Sequence, residues 1–312
     1  MAASGQPKSF SVNQIVHGNA ATVLETWPGD IVDCVITSPP YWQQRDYRGE
    51  PEQVGREATP AEYVARLAAI FAECRRVLKA SGTLWLVIGD KYEGGAQLAL
   101  PWRVALALID DGWILRADCI WHKPNAMPSS TRSRPTTDHE YVFFFTKSKD
   151  YCYDADAIRE PHVTFSDKSR MRGGRGHFGL RGGTPESGKN GGSNNLHDGR
   201  WDQAFHPLGR NKRTVWSIPL SKFRDAHFAV FPEALVETCL LAGCPEGGLV
   251  LDPFVGSGTV PLVARRLSRD YLGIDCTGEY CEMARERLTE TQPPLPGFAP
   301  GRAERKDERQ TT

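Results

Sequence analysis

The stretch that most constrains the fold is an apolar run, 31–36, which is followed closely by the adjacent prolines Pro39 and Pro40. The run is broken only by Asp33 and predicts a buried strand of a parallel sheet. Proline has no N–H group to donate to a neighbouring strand, so the chain must leave the sheet here. Because open α/β sheets bind ligands at the carboxyl ends of their strands, the turn at 37–42 is a candidate site.

The side chains of this turn suit a planar base that carries an exocyclic amine. The hydroxyl of Ser38 and a carbonyl of Pro39 or Pro40 can accept hydrogen bonds from the amine, and the ring of Tyr41 can stack on the base. The alternative is a proline-rich turn whose tyrosine only packs. The candidate catalytic residues are Ser38, Pro39, Pro40 and Tyr41.

A second predicted strand runs into a turn at 249–259. Its glycines let the backbone approach a ligand, and a helix predicted at 260–267 presents N–H groups at its start. No lysine follows the glycines as in a P-loop, and Pro261 replaces the third glycine of the dinucleotide-binding motif. Asp275 ends the next predicted strand, 23 residues after Asp252, a spacing that suits a carboxylate binding ribose hydroxyls.

The two turns resemble the catalytic motif and the S-adenosylmethionine motif of the amino-directed DNA methyltransferases, which modify N6 of adenine or N4 of cytosine. The catalytic motif comes first and the cofactor motif last, as in the permuted β group of that family. The resemblance covers roughly residues 12–290. It implies a doubly wound, Rossmann-like α/β sheet, S-adenosylmethionine as cofactor and double-stranded DNA as substrate.

The resemblance also implies how the cofactor is held. Phe254 would pack on it, Asp275 would bind its ribose, and the turn would admit its methionine end. Asn19 follows a short strand like the one near the cofactor adenine, where the family more often has aspartate; a plain edge strand is the alternative. His227 resembles part of a flanking motif, for which a packed helix start is the alternative. The cofactor-binding candidates are Asp252, Pro253, Phe254, Gly256, Ser257, Gly258, Thr259, Asp275, Asn19, His227 and Phe228.

Composition excludes several classes of protein. The eight cysteines show no CxxC spacing, so we expect neither a zinc site nor a disulfide framework. No Pro-Cys dipeptide is present, which argues against a cytosine-C5 methyltransferase. No apolar run has the length of a membrane span and the start lacks a signal-peptide pattern, so we expect a cytoplasmic protein without a membrane partner.

The net charge is zero, but basic residues are concentrated between Arg159 and Arg213, where eleven Lys and Arg accompany five Asp and Glu and eleven glycines. This composition predicts a loop-rich target recognition insertion at 154–213, in which basic side chains bind phosphates and one or two read base edges. A flexible linker without specificity is the alternative. The predicted nucleic-acid-binding residues are Trp42, Arg45, Arg172, Arg175, Arg181, Arg210, Lys212 and Arg213.

The sequence therefore divides into segments of different predicted roles. These are a disordered leader at 1–11, a catalytic half at 12–153, the insertion at 154–213, a cofactor-binding half at 214–290 and a disordered tail at 291–312. Within the catalytic half we expect an amphipathic helix at 60–78 and a core strand at 83–88. Asp90, just beyond that strand, is a secondary site candidate, with a solvated turn as the alternative.

The resemblance favours cytosine N4 as the target, because Ser-Pro-Pro-Tyr accompanies cytosine most often in the family and Asp-Pro-Pro-Tyr accompanies adenine. Adenine N6 is the alternative target. The rival functions are a non-catalytic DNA-binding module and methylation of RNA or of a protein amide, whose enzymes tend to carry Asn-Pro-Pro-Tyr. A cognate restriction endonuclease is a candidate partner, and the chain is expected to be a monomer or homodimer.

Overall fold

The computed structural model describes residues 11–44, 53–161, 208–220 and 232–290. The strands are β1 Gln14–His17, β2 Val32–Thr37, β3 Leu78–Ile88, β4 Tyr92–Glu93, β5 Ala96–Gln97, β6 Ile114–His122, β7 His139–Thr146, β8 Val215–Ser217, β9 Leu249–Asp252 and β10 Asp270–Asp275. The helices are α1 Ala20–Glu25, α2 Pro60–Val77, α3 Leu100–Asp110, α4 Glu233–Gly243, α5 Thr259–Arg266 and α6 Gly278–Glu290. The expected leader (apart from Ser11) and tail lie outside the described residues.

Eight of the strands form a sheet in the order β1-β10-β9-β2-β3-β7-β6-β8. Neighbouring strands are parallel, except that β7 is antiparallel to both β3 and β6. The amino end of β7 therefore lies at the edge where the other strands have their carboxyl ends. The chain winds outward from the centre in both directions, which confirms the predicted doubly wound α/β sheet.

Helix α2 begins where the sequence predicts. Thr59 and Glu62 form a reciprocal capping box, and Pro60 occupies the first turn, where its missing N–H is no loss. One face of the helix is buried against the sheet, through Tyr63, Leu67, Ile70, Phe71, Cys74 and Val77. This packing fixes Tyr63 directly beneath the chain that leaves β2.

Strand β3 is longer than the predicted 83–88. It begins at Leu78, directly after α2, because Leu78 already pairs with Val32 and an irregular register absorbs the residues before the next pair, Cys34 with Thr83. The rest of β3 is buried on both faces, and the ring of Trp85 stacks on Phe144 with centroids 4.1 Å apart. The centre of the sheet is thus closely packed.

The chain divides into two compact units, residues 1–153 with 214–312, and residues 154–213. The sheet and the helices belong to the first unit. The described part of the second contains an isolated antiparallel bridge between Glu160 and Arg210. Within the described ranges, no helix has both the length and the apolar character needed to cross a membrane.

Candidate active site

The two predicted turns leave the sheet side by side. Strand β2 pairs with β9 through Val35 and Leu251, so both strands release the chain at the same edge. There the hydroxyl of Thr37 donates a hydrogen bond of 2.6 Å to Oδ1 of Asp252, between two buried side chains. The structure thus joins two motifs that are 215 residues apart in the sequence.

In the turn at 37–42, here called the catalytic turn, one of the two proline carbonyls already accepts a hydrogen bond. The carbonyl of Pro40 accepts a hydrogen bond of 3.0 Å from the hydroxyl of Tyr63. Among the described residues, no group donates to the carbonyl of Pro39. The oxygen of Ser38 lies 3.4 Å from that of Tyr41, to which the serine hydroxyl donates. The acceptors left for a substrate amine are therefore the Pro39 carbonyl and the lone pairs of Ser38.

The ring of Tyr41 is held from below and at its tip. A Cβ added to Gly89 would lie 2.8 Å from Cε2 of Tyr41, so the ring packs on the backbone just beyond β3. The tyrosine hydroxyl donates to Oε2 of Glu140 at 2.8 Å. Burial raises the pKa of Tyr41 well above its ordinary value, and the Glu140 carboxylate adds to this, so the phenol stays neutral.

Trp42, predicted to contact DNA, lies in the core instead. Only 2% of it is exposed, and its indole N–H donates to the carbonyl of Glu57 at 2.9 Å. The ammonium of Lys91 lies 4.7 Å from the centre of the ring and donates to the carbonyl of Gln43. Because the ring is enclosed by these groups, Trp42 anchors the catalytic turn and does not face solvent.

The turn that follows β9, residues 253–259, is called the cofactor turn. Beside it, Asp275 at the end of β10 accepts two backbone hydrogen bonds. Its Oδ2 accepts from the N–H of Gly256 and its Oδ1 from the N–H of Thr277, each at 2.9 Å. Gly256 has a φ of +48°, and a Cβ added there would meet no atom nearer than 4.0 Å. The backbone at Gly256 therefore borders open space next to the Asp275 carboxylate.

Gly258 has the opposite surroundings. It has a φ of +82° and precedes α5, and a Cβ added there would lie 2.8 Å from Cβ of Ala284 on α6. Ser257 beside it is also engaged, because its hydroxyl accepts from Arg287 at 3.0 Å. Gly258 shapes the turn through packing and Ser257 through its hydrogen bond, whereas Gly256 leaves open space for a ligand.

The two aspartates of this region differ in burial. Burial raises the pKa of Asp252 to about 7, although the hydrogen bonds from Thr37 and the Phe254 N–H act against the shift. Burial also raises the pKa of Asp275, with the backbone hydrogen bonds opposing. Asp252, predicted to bind the cofactor, is only 1% exposed, and its Oδ1 holds Thr37 and the turn.

The remaining cofactor candidates lie around the same turn. Asn19 caps α1 by accepting from the N–H of Ala21, directly after β1, which pairs with β10. Phe254 is partly buried against the core, Pro253 is buried, and the buried hydroxyl of Thr259 has no hydrogen-bond partner among the described residues. Open space, a carboxylate, a partly exposed ring and an unpaired hydroxyl fit the S-adenosylmethionine that the resemblance implies.

Some predicted site residues lie outside the described residues, namely Arg45, Arg172, Arg175, Arg181, His227 and Phe228. Of the other basic candidates, Arg210 and Lys212 both pair with the carboxylate of Glu160, at 3.1 and 3.7 Å, and Arg213 is exposed. The described parts of the chain contain no group of three or more His, Cys, Asp or Glu that could hold a metal ion.

Glu140 is a site residue that the sequence pattern does not indicate, and Asp90 makes contacts that the pattern does not predict. Glu140 reaches Tyr41 because antiparallel β7 begins at the site edge, a direction that the sequence does not reveal. Asp90 accepts from the N–H of Leu100 at 3.0 Å and from Gln97 at 2.9 Å. It thereby caps α3, whose own N-cap residue offers no side-chain hydrogen bond, and a role for Asp90 in the site stays a prediction.

Comparison with known proteins identifies the family. The model of the N6_N4_Mtase family, described as DNA methylase, matches residues 32–286. The type II methyltransferase M.XycI of Xanthomonas campestris pv. cyanopsidis is 39% identical in an alignment 312 positions long. The alignment covers 91% of this chain and 90% of the relative. M.SmaI of Serratia marcescens is 37% identical over 304 residues, covering 88% and 90%.

Solved structures agree in fold. A putative DNA modification methylase of Thermus thermophilus superposes with a TM-score of 0.57 at 26% identity, covering 92% of this chain and 97% of that one. The cytosine-N4-specific PvuII DNA methyltransferase gives a TM-score of 0.64 at 22% identity, covering 89% and 86%. The chain therefore belongs to the N6/N4 DNA methylase family, the S-adenosylmethionine-dependent methyltransferases of exocyclic amines in DNA that serve type II restriction–modification systems.

Proposed function

We propose that this methyltransferase acts on N4 of cytosine in double-stranded DNA, after the base has been flipped out of the duplex. The observation that carries the proposal is the hydrogen bond between Thr37 and Asp252, which fixes the Ser38–Tyr41 turn beside the cofactor turn. A base amine held by the first turn then lies next to a methyl donor held by the second. The amine of a paired, stacked cytosine is out of reach of such a turn, so the base must leave the stack.

The catalytic turn supplies acceptors and a stacking surface. The lone pair of the amine is conjugated with the ring and is a weak nucleophile. When the Ser38 oxygen and the Pro39 carbonyl accept the hydrogens of the amine, they increase its electron density and orient its lone pair. Tyr41 stacks on the base. When bound, S-adenosylmethionine supplies a sulfonium methyl group open to nucleophilic attack.

A covalent enzyme intermediate is not needed. The cysteine nearest to the turn in the sequence, Cys34, is fully buried, and burial raises the pKa of its thiol well above the ordinary value. It is therefore neither accessible nor ionised as an attacking thiolate would be. Positioning by the turn carries the reaction instead.

The cofactor turn provides the binding groups. Asp275 would accept hydrogen bonds from ribose hydroxyls, Phe254 would pack on the cofactor, and the space at Gly256 would admit the methionine end. A structure of the Thermus thermophilus relative, 25% identical, was solved as a complex with S-adenosyl-L-methionine. That complex supports the same use of the fold here.

The choice of cytosine rests on the Ser-Pro-Pro-Tyr sequence of the catalytic turn. It is supported by the name of the PvuII neighbour, which is specific for cytosine N4, although the likeness to that protein concerns the fold. Adenine N6 presents a similar amine to the same acceptors and is the alternative outcome.

Mass spectrometry of nucleosides tests the target base. DNA treated with the full chain and S-adenosylmethionine is digested and analysed, with RNA and protein treated in parallel and Ser38→Ala as the matched control. N4-methylcytosine from DNA is expected with the wild type. N6-methyladenine would replace the cytosine assignment, and cofactor binding without methylation of any substrate would favour a non-catalytic DNA-binding module.

We further propose that unit 154–213 recognises the target sequence. Support comes from its excess of basic residues, from the exposed Arg213, and from Arg210 and Lys212, which outnumber the one carboxylate that they share, that of Glu160. Replacing Lys212 and Arg213 by glutamine should weaken DNA binding and make it less dependent on salt, with S-adenosylmethionine binding unchanged. The type II names of the relatives favour a cognate restriction endonuclease as partner.

A further inference from the structure

Glu140 holds the tip of Tyr41 with one oxygen and a lysine with the other. Its Oε2 accepts from the tyrosine hydroxyl at 2.8 Å, and its Oε1 accepts from Nζ of Lys123. The side chains of Lys123 and Glu140 are each 16% exposed, so the pair is largely withdrawn from water. A carboxylate in such a place needs its charge balanced, and Lys123 provides this.

Lys123 is itself held in place. Its ammonium lies 4.4 Å from the centre of the Trp121 ring, a cation–π distance, and its backbone N–H donates to the carbonyl of Asp138. These contacts fix the lysine over the carboxylate. Both carboxylate oxygens of Glu140 therefore act as acceptors, one for Lys123 and one for Tyr41.

The carboxylate is also packed against the backbone that supports Tyr41. A Cβ added to Gly89 would lie 3.2 Å from Cγ and 3.3 Å from Cδ of Glu140, as well as 2.8 Å from the tyrosine ring. Tyrosine ring and carboxylate thus share one support. Their hydrogen bond is fixed by packing on both sides.

The direction of the hydrogen bonds follows from this acceptor. Because Glu140 only accepts, the hydroxyl hydrogen of Tyr41 points to Glu140, and the tyrosine oxygen is left to accept from Ser38 at 3.4 Å. The hydrogen of Ser38 is then directed away from the substrate. Only the lone pairs of the serine oxygen face an incoming amine.

We propose that Glu140 is a positioning residue which, through Tyr41, orients Ser38 as an acceptor for the amine of the target base. The inference rests on the proposed function, since it concerns how that amine is held. It predicts that the Tyr41 hydroxyl matters for turnover in addition to the ring. A chain of bonds that ends on a charge also polarises each member, which strengthens Ser38 as an acceptor.

A double-mutant cycle of the full chain tests the relay, with Glu140→Gln, Tyr41→Phe and the combination. Each single variant should lower kcat about tenfold or more, which corresponds to ~1.4 kcal/mol of transition-state stabilisation. The KM for DNA and calorimetric binding of S-adenosylmethionine should stay near wild type. The double variant should be no slower than Tyr41→Phe, because both changes break the same chain.

The matched control is Asp118→Asn, which changes an exposed carboxylate on β6, the neighbour of β7 in the sheet. It should leave kcat unchanged. Tyr41→Phe with wild-type kcat, or losses that multiply in the double variant, would overturn the relay. If Glu140→Gln does not fold, Tyr41→Phe alone decides. Failure of the proposed function looks different, since the wild type itself then yields no methylated cytosine.

Discussion

The cofactor turn and the catalytic turn are neighbours at one sheet edge, but they are held in different ways. The cofactor turn is held largely by backbone N–H groups that donate to the two aspartates of the cofactor motif itself, Phe254 to Asp252 and Gly256 to Asp275. The catalytic turn depends on side chains from elsewhere, Tyr63 at a separation of 23 residues and Glu140 at 99. The geometry of the cofactor turn thus depends largely on residues of its own motif, whereas that of the catalytic turn depends on residues that the fold brings to it.

The largest effect is expected from Ser38→Ala or Tyr41→Ala, which should separate the functions of the two turns. Turnover should fall by roughly 10²- to 10³-fold or more, since an acceptor or the stacking surface for the reacting amine is lost. Binding of S-adenosylmethionine, measured by calorimetry, should remain near wild type. Equal loss of cofactor affinity would mean that the two turns do not act separately.

Asp252→Asn keeps an acceptor for Thr37 and tests whether the carboxylate that joins the turns titrates. Burial raises the pKa of Asp252 to about 7 in the folded chain, so the folded state holds this proton more tightly than the unfolded state does. The resulting stability is present below about pH 4 and is lost as the pH rises towards 7. The Tm of the wild type should therefore decline relative to that of Asp252→Asn across this range. A constant difference in Tm would show that Asp252 does not titrate there.

Gly258→Ala and Gly256→Ala compare the two glycines of the cofactor turn. Alanine at 258 meets Ala284 and adopts an unfavourable φ, so unfolding free energy should fall by roughly 2–4 kcal/mol. Alanine at 256 has room and should cost only about 1–2 kcal/mol for its left-handed backbone. Denaturant unfolding measures both. A larger loss at 256 would contradict the open space beside it.

Asp275→Asn should affect cofactor binding alone. Loss of a charged hydrogen bond to ribose should weaken S-adenosylmethionine by roughly 10- to 100-fold, or about 1.5–3 kcal/mol. At saturating cofactor, kcat should be close to wild type. Glu279→Gln, an exposed acid at the start of α6, serves as control. Unchanged cofactor affinity would remove Asp275 from the binding site.

The sequence predicts the parts of this molecule that depend on local pattern. The strand at 31–36, the strand that ends at Asp252 and the helix that starts at Pro60 all have clear periodicity or capping. Strand β8 was not predicted, because three residues, with only Trp216 buried, are too short to show a period. Trp42, a predicted DNA contact, is buried instead where the chain folds back on Glu57, a tertiary contact that local pattern does not reveal.

Strand β1, at one edge of the sheet, lies next to the last strand of the chain that the structure describes. Strand β1 is hydrogen-bonded to β10, and Arg285 of α6 donates to the carbonyl of Ile15 at 2.7 Å. The first and last described strands are thus adjacent, and the path of the chain through this unit nearly closes on itself. A linker that joins them, with a new opening somewhere in 162–207, would yield a circular permutant that keeps every strand beside its present neighbour. The two turns would then still lie side by side, with the order of their motifs along the chain reversed.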